Sequence, residues 1–309
     1  MNGEYLLGGG RGGVQEWRVK DGKRTASMKT SHPVFRLAVS KDGKWIAGGT
    51  NKGEMHVWDA ETHELVLSHK EFDDRVVTGL DFSPDSTRLV AALDKTATIW
   101  DLGTRKQVQI LTHHRLVYAG KYSLQGDRIA TATADCVRVW DSCDGRLLTD
   151  IKITVISNYD TGLLWAHNHL LVITDNKITQ IEASVGALVS HWPVPDTNYL
   201  SCIAVPKHQE FIIYSSKRIV SFWDAVTHTQ LGLIRQPGRI LSTAVSPDDS
   251  LIAIGGEQGK MSVHKLSCIN VSSMSRSCLS TTFIPSGRYS FIKRIFLIAP
   301  HIPGTRHSD

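Results

Sequence analysis

Trp-Asp dipeptides recur through this 309-residue chain at Trp58-Asp59, Trp100-Asp101, Trp140-Asp141 and Trp223-Asp224, with Trp17-Arg18 ahead of them. Successive tryptophans lie 41, 42, 40 and 83 residues apart. The last interval is double, and DNKITQIEA puts Ile181 where a tryptophan is due, 41 residues beyond Trp140 and 42 before Trp223. GKMSVHK continues the series, with His264 another 41 residues along. A fixed period of this length means one structural unit repeated seven times, each burying its apolar face against the next.

Each unit has the same internal pattern. The segment from 76 to 101, VVTGLDFSPDSTRLVAALDKTATIWD, alternates apolar and polar residues, turns at Ser-Pro-Asp, alternates again, turns at Asp-Lys, and alternates into Trp-Asp. A period of two interrupted by turn residues reads as strand, turn, strand, tight turn, strand. Matching turns occur at 40–45 (SKDGKW), 123–128 (SLQGDR), 205–211 (VPKHQEF) and 246–251 (SPDDSL). A fourth, more polar strand follows each signature, as in HELVLSHK and RKQVQILTHH.

Period, turns and Trp-Asp endings together resemble the WD40-repeat family over residues 1–285. The resemblance implies an all-β fold, a seven-bladed β-propeller of four-stranded antiparallel blades. It also implies a side-chain network in each blade, linking a His before the first strand, a Ser or Thr on the second, an Asp in the second turn and the Trp of the third. The fourth blade has the full set in His113, Thr131, Asp135 and Trp140. The second has His32 and Trp58 but Asn51-Lys52 at the turn; the third has Asp94 and Trp100 but Asp73 in place of His; the sixth keeps Trp223. Each such hydrogen bond is worth roughly 0.5–1.5 kcal/mol net, so incomplete networks weaken blades without forbidding them.

The N-terminal segments EYLLGGG, GVQEWRV and KRTASMK correspond to the second, third and fourth strands of a blade. CLSTTFIPSGRYSFI (278–292) aligns without a gap with ILSTAVSPDDSLIAI (240–254). The expectation is therefore one domain over 1–285, with a strand at 278–284, centred on Leu279–Ile284, supplying the missing inner strand. Residues 286–309 are then a C-terminal tail, partly ordered or disordered.

No catalytic set is evident. Gly8 to Gly13 satisfies G-x-G-x-x-G, but a dinucleotide site needs that loop to open a helix, and here a strand follows. Asp81, Asp85, Asp127, Asp248 and Asp249 recur at one place in the repeat and read as turn residues. His113-His114 and His167-x-His169 lack the further carboxylate or thiol that zinc requires. Neither metal nor cofactor is expected, and the chain reads as a non-enzyme.

Five cysteines, Cys136, Cys143, Cys202, Cys268 and Cys278, include no C-x-x-C pair and read as thiols of a reducing compartment, cytoplasmic or nuclear. Of the formal charge of +5, a net +4 comes from the residues beyond Leu266 (Arg276, Arg288, Lys293, Arg294 and Arg306 against Asp309). The rest has no excess that would mark a nucleic-acid partner, and no apolar run is long enough for a membrane span.

What remains is surface. In the resembled family the connections before the first strand and between the second and third strands share one face. That places Arg11, Lys52, Lys95, Asn158, Tyr159, Lys177, Asn198, Tyr199, Lys217, Arg218, Arg235, Arg239 and Lys260 together, with Glu71, Phe72, Asp73 and Asp74 as an acidic counterpart in the third blade. The expected function is a non-catalytic protein–protein interaction scaffold, a monomeric module within a complex, anchored by Tyr159, Tyr199, Phe72 and Arg235. Two alternatives remain: the recognition portion of a larger multidomain regulatory protein of the nucleotide-binding receptor type, and a ubiquitin-ligase substrate receptor. In the latter an Arg follows the dipeptide by two residues, where this chain has Glu61, Gly103, Cys143 and Val226.

Overall fold

A computed structural model describes residues 4–70, 75–155, 162–174, 177–193, 200–205, 211–257, 260–266, 282–284 and 292–298. Blade one contains β1 (Tyr5–Gly10), β2 (Gly13–Arg18) and β3 (Arg24–Met28). Blade two is β4 (Val34–Val39), β5 (Trp45–Thr50), β6 (Glu54–Asp59) and β7 (Leu65–Lys70). Blade three is β8 (Val77–Phe82), β9 (Arg88–Leu93), β10 (Thr96–Asp101) and β11 (Lys106–Thr112). Blade four is β12 (Ala119–Tyr122), β13 (Arg128–Ala132), β14 (Cys136–Asp141) and β15 (Leu147–Lys152). Blade five is β16 (Leu163–Ala166), β17 (His169–Thr174), β18 (Lys177–Glu182) and β19 (Leu188–Pro193). Blade six is β20 (Leu200–Ala204), β21 (Phe211–Ser216), β22 (Ile219–Asp224) and β23 (Gln230–Arg235). Blade seven is β24 (Ile240–Val245), β25 (Leu251–Gly256), β26 (Met261–Lys265) and β27 (Thr282–Ile284); β28 (Ile292–Ile298) completes blade one. All seven sheets are antiparallel and four-stranded, the seven-bladed propeller expected from the repeat.

Local chemistry sets each hairpin. In the first turn of four blades a serine hydroxyl, Ser40, Ser83, Ser123 or Ser246, accepts the N–H of Trp45, Arg88, Arg128 or Leu251 at 2.9–3.1 Å. The same hydroxyls donate to Asp42, Asp85, Asp127 and Asp248 at 2.5–2.7 Å, so Ser and Asp together replace the backbone partners the turn lacks. Asp81 departs from the sequence reading: it lies on β8 and accepts the N–H of Tyr122 in the next blade at 2.9 Å, a link between blades rather than a turn.

The Trp-Asp signature marks a bulge followed by a capped turn. Pairing slips by one residue immediately before Trp58, Trp100, Trp140, Ile181 and Trp223. The aspartate then caps the turn: Asp59 accepts from the N–H of Glu61 and Thr62, Asp101 from Thr104, and Asp224 from Val226 and Thr227. The chain returns through a left-handed residue at His63, Arg105, Gly145, Gly186 or His228. Ile181 keeps the bulge without an indole, so the turn generates it and the tryptophan uses it.

Seven apolar clusters lie between neighbouring blades. Val90, Ile99 and Leu111 of blade three meet Val117, Tyr122 and Trp140 of blade four. Val139 and Ile151 of blade four meet Leu163, Trp165 and Ile181 of blade five. At the joint, Leu6 and Trp17 of blade one pack on Ala244, Ala253, Met261 and Val263 of blade seven. Each fully buried side chain of this size contributes roughly 1.5–3 kcal/mol.

Closure uses a different strand from the one expected. β28 pairs antiparallel with β1, from Tyr5 opposite Ile298 to Gly10 opposite Ile292. Thr282–Ile284 instead pairs with β26 and forms the outer strand of blade seven; Leu279–Thr281 lie outside the described residues. The domain therefore extends beyond residue 285 into the segment assigned to the tail, of which only Ile292–Ile298 is described. Local pattern matched 278–284 to β24, but β26 offers an open edge nearer in sequence, and the longer Ile292–Ile298 is left for β1. A chain ended at residue 285 should melt roughly 10 °C lower than the full chain or precipitate, because β1 becomes an open edge. A chain ended at residue 299 should melt with the full protein; equal melting of both truncations would show that the pairing of β28 with β1 contributes nothing.

Candidate functional site

Two kinds of site were expected, the polar network inside the blades and the face that carries the loops. In blade four the Trp140 indole N–H donates to Thr131 Oγ1 (2.7 Å), which lies 3.0 Å from His113 Nε2. Asp135 stands apart from this trio. It accepts from the Thr133 hydroxyl at 2.8 Å, His114 Nε2 at 3.0 Å and Arg115 Nε at 3.1 Å, and these contacts hold its carboxyl down at about 2.

The other blades solve the same problem with different atoms. Ala91 occupies the Thr131 place in blade three, and the Trp100 indole donates instead to Thr98 on its own strand (3.0 Å). Asp94 is 3.6 Å from Arg75 rather than part of that network. In blade two, His32 meets Glu54 at 3.0 Å, and Gly48 leaves room for the Trp58 ring, which a Cβ there would approach to 2.8 Å. The Trp223 indole nitrogen has no hydrogen-bond partner among the described residues. Blade seven substitutes His264 for the tryptophan: its Nε2 is 2.9 Å from Ser262 Oγ, and the Gln236 amide donates to that hydroxyl at 3.2 Å. Sequence reading missed this trio because it has neither the Trp nor the His that define the pattern.

Backbone pairing shows which loops share a face. In blades three, four and six the second turn accepts from the connection entering the following blade: Val117 N–H to Asp94 O, Val155 to Ala134, Gln236 to Arg218, Ile240 to Lys217. Arg11, Lys52, Lys95 and Lys260 therefore surround the same end of the ring as Lys217 and Arg218. The signature carboxylates Asp59, Asp101, Asp141 and Asp224 lie at the opposite end, where Ala60 N–H pairs with Lys44 O and Leu102 with Thr87 O.

Five of the expected cations come together in one groove. Lys217 and Arg218 form the two-residue turn between β21 and β22, Arg235 ends β23, and Arg239 precedes β24. These four line a pocket of about 870 Å³ whose walls include Tyr214, Ile219, Ser221 and Leu233. An adjoining recess of about 240 Å³ shares Arg218 and Gln236 and adds Lys260 and Glu257. Arg11 sits on the same face outside the groove. Phe72, Asp73, Asp74, Tyr159 and Tyr199, with Asn158 and Asn198, lie outside the described residues.

The glycine-rich run has a backbone explanation. It joins two strands, and at Gly13 (φ 96°) a Cβ would stand 2.1 Å from the Met28 carbonyl. Among the described residues, no group of three His, Cys, Asp or Glu side chains converges to hold a metal.

Burial holds His113 down at about 4, and its Nδ1 has no partner, so an added proton would be buried without an acceptor. Burial lowers His264 and His56 as well. The unfolded chain therefore binds protons first as pH falls. The stability contributed by neutral His113 is complete above pH 6.5, declines from there to about pH 4, and amounts to about 3 kcal/mol. Melting temperature should fall across that window, and His113→Gln should flatten part of the slope; a flat profile for the parent protein would refute it. Thr131→Val, which orphans the Trp140 N–H, should cost about 1–3 kcal/mol by urea denaturation.

A family model described as "WD domain, G-beta repeat" matches residues 22–59 and 63–101. The chain is 28% identical over 175 residues to WD repeat-containing protein 18 of Danio rerio, covering 50% of this chain and 39% of that protein. It is 25% identical over 243 residues to the serine-threonine kinase receptor-associated protein of Gallus gallus, covering 75% of this chain and 63% of the relative. The chain thus spans less than two thirds of the length of either relative. Among solved structures, a chain of the crystal structure of the mitotic checkpoint complex superposes with a TM-score of 0.71 at 17% identity, covering 84% of this chain and 82% of the other. The β-propeller domain of Cps50 (Swd1) from Myceliophteria thermophila superposes with a TM-score of 0.68 at 14% identity, covering 82% and 88%. At such identities the two structures share the fold alone.

Proposed function

This chain is a WD40-repeat β-propeller, and from that premise we propose that it is a non-catalytic interaction module that offers the groove of blades six and seven to an acidic segment of a protein partner. The observation that carries the reading is the convergence of Lys217, Arg218, Arg235, Arg239 and Lys260 on two adjoining recesses with one carboxylate, Glu257, among the described residues lining them. Cations clustered over apolar walls attract and orient an acidic chain, and guanidinium groups dominate interface energetics. Fold alone does not assign this role, since propellers serve many functions. One superposing structure is a chain of the mitotic checkpoint complex, an assembly, which accords with a scaffold.

The test is affinity capture from cell extract with the parent protein and an Arg235→Glu/Arg239→Glu variant, after matched melting curves show both to be folded. Partners bound through the groove should be lost from the variant and should elute from the parent as salt rises from 0.1 to 0.5 M, in line with screening of exposed charge. Persistence of every captured protein on the variant would place the interface elsewhere.

A further inference from the structure

We propose that Ser27, on the outer strand of blade one, is a phosphorylation site for an arginine-directed serine/threonine kinase, and that Arg24 and Gln15 receive the phosphate once it is attached. The inference is independent of the groove on blades six and seven. Six hydroxyls in the chain have an arginine three residues before them: Ser27, Thr78, Thr131, Thr149, Ser221 and Ser242. Thr78, Thr131, Ser221 and Ser242 are buried, and Thr149 is half-buried with its hydroxyl donating to the carbonyls of Ala183 and Ser184. Ser27 alone of the six is exposed, and Lys23 adds a second cation four residues before it. A kinase that selects basic segments presents carboxylates to guanidinium and ammonium groups at set distances from the acceptor along an extended chain. β3 is already extended and pairs on one side only, and such an edge strand detaches at less cost than strands inside the sheet.

The bulge in this hairpin brings the parts of the receptor together. Residues three apart on a regular strand point to opposite faces. Here the pairing of β2 with β3 slips between Glu16 and Trp17, so Ser27 lies opposite Gln15, Arg24 lies opposite Trp17, and Thr25 is the extra residue. Gln15 and Trp17 share a face of β2, and Arg24 and Ser27 therefore share that face of β3. Gln15 is 4% exposed and spans the two: its amide nitrogen donates to Ser27 Oγ at 2.8 Å, and its amide oxygen accepts from Arg24 Nη1 at 3.3 Å. Trp17 packs on blade seven, so this face belongs to the seam where the ring closes.

Thr25 shows by contrast why Ser27 is the acceptor. Its hydroxyl donates to Glu16 on the other face, and the second oxygen of that carboxylate is 3.4 Å from His63 of blade two. A phosphate on Thr25 would meet a carboxylate, whereas one on Ser27 meets a guanidinium and an amide N–H. The modification transfers the γ-phosphoryl group of ATP. The bond from γ-phosphorus to Ser27 Oγ forms as the bond to the β–γ bridging oxygen breaks; ADP leaves, and the hydroxyl proton passes to the catalytic aspartate of the kinase. The product carries close to two charges and three terminal oxygens, and Arg24 offers charge-assisted hydrogen bonds to them.

The experiment incubates the folded full chain with magnesium, ATP and the catalytic subunit of an arginine-directed kinase, and maps the phosphate by mass spectrometry. A proline-directed kinase is the control, because Ser83 and Ser246, the serines that precede proline, are buried and donate to aspartates. One phosphate should enter at Ser27 with the first kinase and none with the second. Ser27→Ala should take up none, and Arg24→Gln, once melting curves show it folded, should lose roughly tenfold or more in kcat/KM. Phosphorus NMR then reads the receptor. The phosphoserine of the parent should titrate below the ordinary second pKa of about 6, and that of Arg24→Gln, phosphorylated to completion with excess kinase, should titrate higher. Phosphate found only on other residues overturns the proposal, as does incorporation that requires thermal unfolding or proceeds equally in Arg24→Gln. Equal titration of the two phosphorylated chains overturns the assignment of Arg24 as the receptor.

Discussion

Apolar surface shared between neighbouring blades is the constraint on which the rest of the molecule depends. Each cluster draws its side chains from two blades, as when Leu37 and Ile46 of blade two close over Leu7 and Val14 of blade one. No blade completes a core alone, so stability is a sum over contacts around a ring, and a ring with a gap exposes two half-cores. The joint between blades seven and one contains small residues, Ala244 and Ala253, opposite Leu6 and Trp17. The pairing of β28 with β1 carries the chain's C-terminal segment across the gap.

Within that frame the polar network is adjustable. A buried indole N–H needs an acceptor, and two neighbouring strands can provide one: Thr131 on the second strand of blade four, or Thr98 on the third strand of blade three. Both lie on the same sheet face within reach of the ring, so evolution of either position satisfies the donor. Blade seven goes further, replacing the indole by His264 and the His113-type imidazole by the Gln236 amide around Ser262. Blades three, four and seven thus build the polar centre from different residues. The buried imidazoles have a cost that appears only in acid, because neither His113 Nδ1 nor His264 Nδ1 has a partner to receive a second proton.

The features legible in the sequence were those with a local cause. The period of about 41 residues, the Ser and Asp turns and the Trp-Asp bulges each arise from a few consecutive side chains acting on their own backbone, and they recur visibly. Strand exchange was only partly legible. The N-terminal segments read correctly as three strands lacking a first, but choosing its partner is a non-local decision, and the likeness of 278–284 to β24 favoured the wrong segment. Phe291 to Pro300 read as an apolar run broken by Lys293 and Arg294, and its pairing with β1 is set by a partner about 290 residues away in the chain. Connection type places Lys217, Arg218, Arg235, Arg239 and Lys260 on one face, and these residues line two adjoining recesses. Gln236 and Tyr214 were missed because their role depends on what packs beneath them.

The position of the cations on this face follows from the same backbone pairing that joins the blades. The Lys217–Arg218 turn cannot relax on its own, since its carbonyls are the acceptors that seat the entry to blade seven. Opening it breaks the junction over Ile234, Ile240 and Ile254, whose burial far outweighs the strain of one left-handed lysine. The backbone positions of these cations are therefore set by the blade junction rather than by loop conformation alone.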